Sequence, residues 1–323
     1  MDFSKKNILV LTDGSEGMIS QVIGLAQEFT NNITSIQTNL LFPWSKLQPG
    51  ILPIFSWIFL NKINLKYKPD IIISCGRKSV YLSIYLKKKY INIINIHIQN
   101  PKTKFEKFNF IIAPKHDGIS GKNVLNSTGA LHKFNKEIIN NVSDENFKIS
   151  KNNLVSIIIG GDNKHYKFTD REIKKLNIQI EKIKENNPNF NILILTSRRT
   201  NDQIKKILNK QLNKIAHIWQ ENEINPYTFA LKHSKFFIVT SDSTSMVSEC
   251  SCTGKPIYVF HLPFKRESKR MHKFHQEFEE KKITKKLDNQ NILVSWTYNS
   301  LNESKRIASI LKERIIKEIN ESR

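Results

Sequence analysis

Residues 235–260 read KFFIVTSDSTSMVSECSCTGKPIYVF. An apolar run ends at Thr240, small hydroxyl and acidic residues follow, and a second apolar run begins after Gly254 and Pro256. The apolar runs suit buried strands, and Gly followed by Pro suits a helix end before a new strand. The intervening stretch then opens a helix at Asp242 or Ser243, because either side chain can accept from a free N–H of the first turn. Strand, helix, strand is the repeating unit of a doubly wound sheet covered on both faces. On such a helix Ser245 and Glu249, four residues apart, share a face.

The same alternation runs outward in both directions. In the first half, 7–12, 70–75, 91–98 and 108–113 read as strands, with helices over 18–29 and 78–88. Residues 134–153 are polar and turn-rich, and their later part is the linker. The pattern restarts with LVSIIIGG at 154–161 and continues through NILILTS, KIAHIW, KFFIVT and PIYVF. Thr169-x-x-Glu172 and Ser300-x-x-Glu303 have capping-box spacing. The expected fold class is α/β, with two Rossmann-like doubly wound domains facing across a cleft. The domains run over 1–145 and 146–323, with the last helix able to pack back on the first. Ligands of open α/β sheets bind at the carboxyl ends of the strands, so functional residues are expected just after strands.

Composition narrows the classes. The chain has 323 residues, and 51 Lys and Arg against 29 Asp and Glu give a formal charge of +22. Such a charge suits polyanions, yet the lysines are spread throughout, alongside abundant Asn and Ile, as in proteins from AT-rich genomes. No nucleic-acid motif is present, so no specific nucleic-acid partner is expected. Cys75, Cys250 and Cys252 are an odd, sparse set, which fits a reducing compartment rather than a disulfide framework. No signal-peptide core opens the chain, and the apolar stretch 51–60 is too short to span a bilayer. The expected location is cytoplasmic, or peripheral to the inner face of a membrane. Segment 41–60, LFPWSKLQPGILPIFSWIFL, reads as a core-packing helix after a proline-rich turn, the alternative being a membrane-facing surface. His272 and His275 stand i, i+3 in a cationic, aromatic stretch, without an evident third metal ligand, so no metal is expected.

The strand exits carry the chemistry. TDGSEG puts Asp13 after the first strand, as a base or hydroxyl ligand, or as a plain turn residue. SCGRKS puts Arg77 and Lys78 at a helix start that suits an anion. PKHDG places His116 beside Asp117, an acid/base pair or a surface loop. Gly160 and Gly161 allow close backbone approach. Ser197, Arg198 and Arg199 follow the next strand, with chemistry suited to phosphate. Ser243, Thr244 and Ser245 lie near the free N–H groups of the first helical turn, another phosphate-type site, and Glu249 is placed to accept from two sugar hydroxyls. The alternative for this last stretch is an ordinary capped crossover helix with an exposed Glu.

The 240–260 stretch resembles the donor-nucleotide motif of GT-B glycosyltransferases of the MurG-like branch, in which a Ser/Thr/Gly-rich loop precedes a helix carrying a Glu and then Gly-Lys-Pro. That resemblance implies Glu249 at ribose hydroxyls and Ser243–Ser245 at phosphates. The ordered set TDGSEGMISQ, SCGRKS, IQNP, PKHDG, IGGDN, TSRRT and NPYTFAL resembles the mitochondrial-fission Elm-like family of bacteria and plants. Bacterial members of that family carry a fission name or an older nucleoside-diphosphate-sugar epimerase label. The plant member is linked to recruiting a division dynamin. Ser15-Glu16 stands where a Lys is common in the family's first loop. The expected function is a metal-independent GT-B-type glycosyltransferase. Its partners would be a nucleotide sugar and a lipid-linked or envelope acceptor at the membrane surface. Gly160, Gly161, Ser197, Arg198, Ser243–Ser245 and Glu249 would hold the donor, and Asp13 or His116–Asp117 would act as base. The competing reading is a non-catalytic adaptor of the same fold that recruits a membrane-division partner.

Overall fold

A computed structural model describes residues 2–60, 63, 65, 67–90, 92–288 and 292–321. The chain divides into two units, Met1–Lys133 with Asn302–Arg323, and Phe134–Leu301. The break falls at Lys133/Phe134, whereas the sequence placed it at 145/146; the turn-rich segment after it carries its own helix and packs in the second unit.

The first unit contains β1 (Ile8–Thr12), α1 (Glu16–Gln27), β2 (Ile33–Gln37), β3 (Ile71–Cys75), α2 (Arg77–Lys89), β4 (Ile94–Ile98), β5 (Phe110–Pro114) and β6 (Val124–Ser127). The second contains α3 (Lys136–Asn140), β7 (Leu154–Ile159), α4 (Asp170–Asn186), β8 (Asn191–Thr196), α5 (Asp202–Leu212), β9 (Ala216–Ile218), α6 (Tyr227–His233), β10 (Ser234–Thr240), α7 (Thr244–Ser251), β11 (Ile257–Phe260), α8 (Lys269–Glu280) and β12 (Thr284–Lys286). The last helix, α9 (Glu303–Glu321), belongs to the first unit.

Each unit holds a six-stranded sheet in which all pairings are parallel, in the orders β2-β1-β3-β4-β5-β6 and β12-β11-β10-β7-β8-β9. Every residue of β1, β3, β4, β5 and β7 is buried, which is why these strands show continuous rather than alternating hydrophobicity. β2, with an exposed Thr34–Ser35 centre, and the short β6 lack that signature and escape the sequence reading. Ile91, which opens the 91–98 stretch, lies outside the described residues, and β4 starts at Ile94.

α9 buries Ile307, Ala308, Leu311 and Ile315 in the first unit's core. Its start is capped by Asn302, whose side chain accepts from the N–H of Lys305 at 3.0 Å. The Ser300/Glu303 capping box does not form, because Glu303 instead accepts from the N–H of Thr128 at 2.8 Å and ties the helix to the loop after β6. At Thr169 the box is also altered: the hydroxyl bonds directly to the Glu172 carboxylate. Segment 41–60 is no core helix. It is a turn-rich loop with one short 3-10 turn at Ser56–Ile58, since Pro43, Pro49 and Pro53 interrupt helical bonding.

His97 is sealed inside β4, with Nδ1 2.9 Å from the Ser74 hydroxyl, and burial pushes it down to about 3. The folded chain therefore holds it neutral while the unfolded chain takes up a proton below 6.5. Stability is full above that pH and is lost as the pH falls toward 3. Between pH 6.5 and 5 this one residue is expected to cost about 2 kcal/mol. Urea unfolding at the two pH values checks it; a His97→Gln variant with the same pH dependence as the parent would refute the assignment.

Candidate active site at the strand exits

Both sheets reverse direction of winding at one point, β1/β3 in the first unit and β7/β10 in the second. Loops leaving neighbouring strands there run to opposite faces and leave a crevice. In the second unit that crevice is built around Asp242. Its buried carboxylate accepts from the Thr240 hydroxyl at 2.7 Å and from the N–H of Gly161 at 3.1 Å, and pairs with Arg199 Nη2 at 2.7 Å. The N–H of Gly160 donates to the Thr240 hydroxyl oxygen at 2.8 Å, and the Thr200 hydroxyl donates to the Gly160 carbonyl at 2.7 Å. Asn163 reaches back to the Asp242 carbonyl at 3.0 Å. The exits of β7, β8 and β10 are thus one hydrogen-bonded joint. Burial raises the Asp242 carboxyl above its ordinary range, with Arg199 and the two donors acting against that shift.

The glycines are needed here for the protein's own packing. A Cβ on Gly160 would lie 2.1 Å from the Asp242 carboxylate, and one on Gly161 would lie 1.9 Å from the Arg199 carbonyl oxygen. Their N–H groups are already bonded inside the joint, so they are not the free donors a bound phosphate needs. Those donors stand next door. Ser243 caps α7, its side chain accepting from the N–H of Met246, and the N–H groups of Thr244 and Ser245 in the first turn have no partner within the helix. One turn further, Glu249 is buried and accepts from the Tyr227 hydroxyl of α6 at 2.6 Å. Burial and the adjacent carboxylate raise Tyr227 well above its ordinary value, which keeps it a donor. The structure therefore replaces the exposed Glu of the ordinary crossover helix with a buried, oriented carboxylate.

After β8 the two arginines divide. Arg199, rather than Arg198, is engaged with Asp242, while Arg198 is exposed. Ser197 is half-buried, and its hydroxyl accepts from the N–H of Arg199 at 3.2 Å. Asp242, Thr240, Thr200 and Tyr227 are missing from the sequence-derived site; for Asp242 the only signal was its position beside the cap.

In the first unit, Asp13 sits at the β1/β3 switch point, half-buried, with Oδ1 buried and unbonded. A Cβ on Gly76, where φ is +96°, would stand 3.2 Å from its carboxyl. His116 is buried after β5, with Nε2 3.8 Å from Asp117 Oδ1, which is ion-pair range but beyond hydrogen-bond reach. Arg77, expected at an anion site, instead donates to the carbonyls of Trp44, Ser45 and Leu47 and pins the 44–47 turn.

A cavity of about 820 Å³ opens beside the ends of β11 and β12, lined by Tyr166, His261, Phe264, His272, His275 and Glu279 among others. His275 Nε2 donates to the Ser241 carbonyl at 2.9 Å, so the cavity adjoins the Asp242 joint. Burial pushes His261 down to about 4 and His275 down to about 3, leaving both neutral hydrogen-bonding groups. His272 pairs with Glu267 at 2.6 Å. Among the described residues no group of three His, Cys, Asp or Glu converges as a metal site. Cys75, Cys250 and Cys252 are unbridged and buried.

Comparison with known proteins bears on the family and the fold. An uncharacterized protein of Rickettsia prowazekii (strain Madrid E), RP120, is 31% identical over 350 residues, covering 95% of this chain and 98% of that protein. The mitochondrial fission protein ELM1 of Arabidopsis thaliana is 24% identical over 280 residues, covering 76% of this chain and 64% of that protein. Among solved structures, the S. aureus MnaA–UDP co-structure has a TM-score of 0.53 at 11% identity, covering 96% of this chain and 89% of that chain. The UDP-GlcNAc 2-epimerase of Neisseria meningitidis bound to UDP-GlcNAc has a TM-score of 0.50 at 14% identity, covering 96% of this chain and 100% of that chain. At such identities the likeness is one of fold, and the two parallel α/β units are GT-B-like. The family model described as "Mitochondrial fission ELM1" matches residues 16–315, and the chain belongs to that family.

Proposed function

We infer that the second unit binds a nucleotide-activated sugar at the β7/β10 crevice and that the protein is a GT-B-type glycosyltransferase. The observation that carries this reading is the start of α7. Free first-turn N–H groups and the hydroxyls of Thr244 and Ser245 stand at a strand switch point beside the Arg199–Asp242 pair, and a buried Glu249 oriented by Tyr227 follows one turn later. The diphosphate would meet the helix start and Arg198, which offset its charge, and two ribose hydroxyls would donate to Glu249. The cavity beside His275 offers the sugar the neutral imidazole of His261 and the aromatic faces of Tyr166 and Phe264. Asp13 and the His116–Asp117 pair are the first unit's candidates for taking the acceptor's proton. Fold neighbours that hold UDP or UDP-GlcNAc support the choice of a nucleotide sugar. In favour of the adaptor reading stands the joint itself, where Arg199 and both glycine N–H groups are occupied by the protein.

A thermal-shift panel of nucleoside diphosphates and their sugar conjugates separates the two. At a hundredfold excess over Kd a binder is expected to raise the melting temperature by roughly 5 °C or more. Arg198→Ala, which removes an exposed side chain, should leave the unliganded protein unchanged and halve that shift or more; Glu249→Ala should abolish it. No response to any nucleotide would favour the adaptor.

A further inference from the structure

The 41–60 loop and its surroundings are occupied neither by the fold nor by the proposed donor site. Its inner side is well packed: Leu40, Trp44, Ile58 and Tyr81 form a small buried cluster, and Trp44 Nε1 donates to the Pro53 carbonyl at 2.9 Å. Its outer side is apolar and exposed, with Phe42 at 79%, Ile51 at 60%, Trp57 at 58% and Leu60 at 58%. These are not floppy ends. Trp57 stacks on Phe55 with centroids 5.6 Å apart and meets Trp44 edge-on at 5.0 Å, so the buried Trp braces the exposed rings. Arg77 holds the same turn through three carbonyls. A loop so braced, holding large apolar side chains in water, marks an interaction surface.

The charge around it indicates the partner. Residues 29–105 contain eleven Lys and Arg, of which Lys62 and Lys66 lie outside the described residues, and one acidic residue, Asp70; exposed Glu106 follows. Asp70 is itself paired with Lys6 at 2.9 Å. Lys46 is exposed within the loop. A Cβ on Gly50 would stand 2.8 Å from the Thr103 hydroxyl, so the loop abuts the segment carrying the exposed Lys102 and Lys104. Exposed aromatic and aliphatic side chains beside exposed lysines that outnumber the acids match the interfacial region of an anionic bilayer: rings and alkyl groups enter the acyl boundary while ammonium groups meet head-group phosphates. Among the described residues no helix is long and apolar enough to cross a membrane, so the contact is superficial.

We propose that the 41–60 loop, with Lys46, Lys102 and Lys104, docks the protein reversibly on an anionic lipid surface. Co-sedimentation of the full chain with large unilamellar vesicles tests it, using phosphatidylcholine alone or mixed with phosphatidylglycerol. The expected result is binding to the mixed vesicles that weakens as salt rises and is at least tenfold poorer on neutral ones. Phe42→Ser with Trp57→Ser should lower partitioning about tenfold or more, since both insertions are removed. Lys46→Glu with Lys102→Glu and Lys104→Glu should lower it more steeply, each lysine near the surface contributing roughly fivefold. Neither variant should alter the melting temperature by more than a degree or two, or the response to nucleotides, so failure here is separable from failure of the donor-site reading. Absence of binding to mixed vesicles overturns the proposal, as does undiminished binding of the Phe42/Trp57 variant. A concentration-dependent dimer that this variant converts to monomer, with vesicles ignored throughout, also overturns it and assigns the loop to a second copy of the chain.

Discussion

Asp242→Ala is expected to destabilise the second unit by about 3–5 kcal/mol, the range for removing one partner of a buried, hydrogen-bonded ion pair. The variant strands three groups at once: the Thr240 hydroxyl, the N–H of Gly161 and the guanidinium of Arg199. The arginine is partly exposed and can turn to water, but the other two are sealed in and lose their acceptor outright. Asp242→Asn keeps one carbonyl oxygen, and should cost less, on the order of 1–3 kcal/mol. Urea denaturation followed by Trp219 and Trp296 fluorescence, in a background where Trp44 and Trp57 are phenylalanine, reports the second unit selectively. An alanine variant within about 1 kcal/mol of the parent would mean that the joint is not a structural keystone and that Asp242 is better read as a ligand-facing group.

Gly161→Ala is expected to be nearly as damaging, about 3 kcal/mol, for a steric reason. The added methyl would stand 1.9 Å from the Arg199 carbonyl oxygen and 2.4 Å from its carbon. Both are backbone atoms, so relief requires the exits of β7 and β8 to separate. Separation moves Arg199 off Asp242 and shifts the loop before α7, so the response to nucleotides should disappear as well. Gly118→Ala is the matched control. No atom lies within 4 Å of the added Cβ there, and only the left-handed backbone, φ +66°, opposes it. That cost is about 1 kcal/mol. Because Gly118 lies in the first unit, its variant is followed through Trp44 and Trp57 with Trp219 and Trp296 replaced by phenylalanine, and each loss is referred to its own parent; equal losses would show that the Gly161 contact relaxes freely.

The legibility of this chain follows from what each feature depends on. Buried parallel strands announce themselves, since every side chain of β3 or β7 is buried and the two covered faces leave near-continuous apolar runs, interrupted only by the small Ser74 and Ser156. The edge strand β2 has exposed residues on both faces and none fully buried, and ITSIQ carries no such run. The 41–60 loop misled for the opposite reason. Its hydrophobicity is that of a core segment, and only the backbone shows that prolines break it into turns whose outer side chains have nothing to cover them.

The candidate site divides the same way. That hydroxyls and glycines cluster at strand ends, that a helix opens at Asp242 or Ser243, and that Ser245 and Glu249 share its face are consequences of local spacing, and the sequence by itself determined them; the structure assigned the cap to Ser243. Which polar group meets which depended on residues about eighty positions apart. Gly161 and Asp242 touch because β7 and β10 are neighbours in the sheet, and Arg199 joins them because β8 lies on the other side of β7. Only the tertiary structure decided that Arg199 rather than Arg198 is engaged, that Gly160 and Gly161 serve packing, and that Tyr227 orients Glu249. Periodicity encodes which way a side chain points along its own element, but strand order sets its partner, and strand order is a property of the assembled sheet.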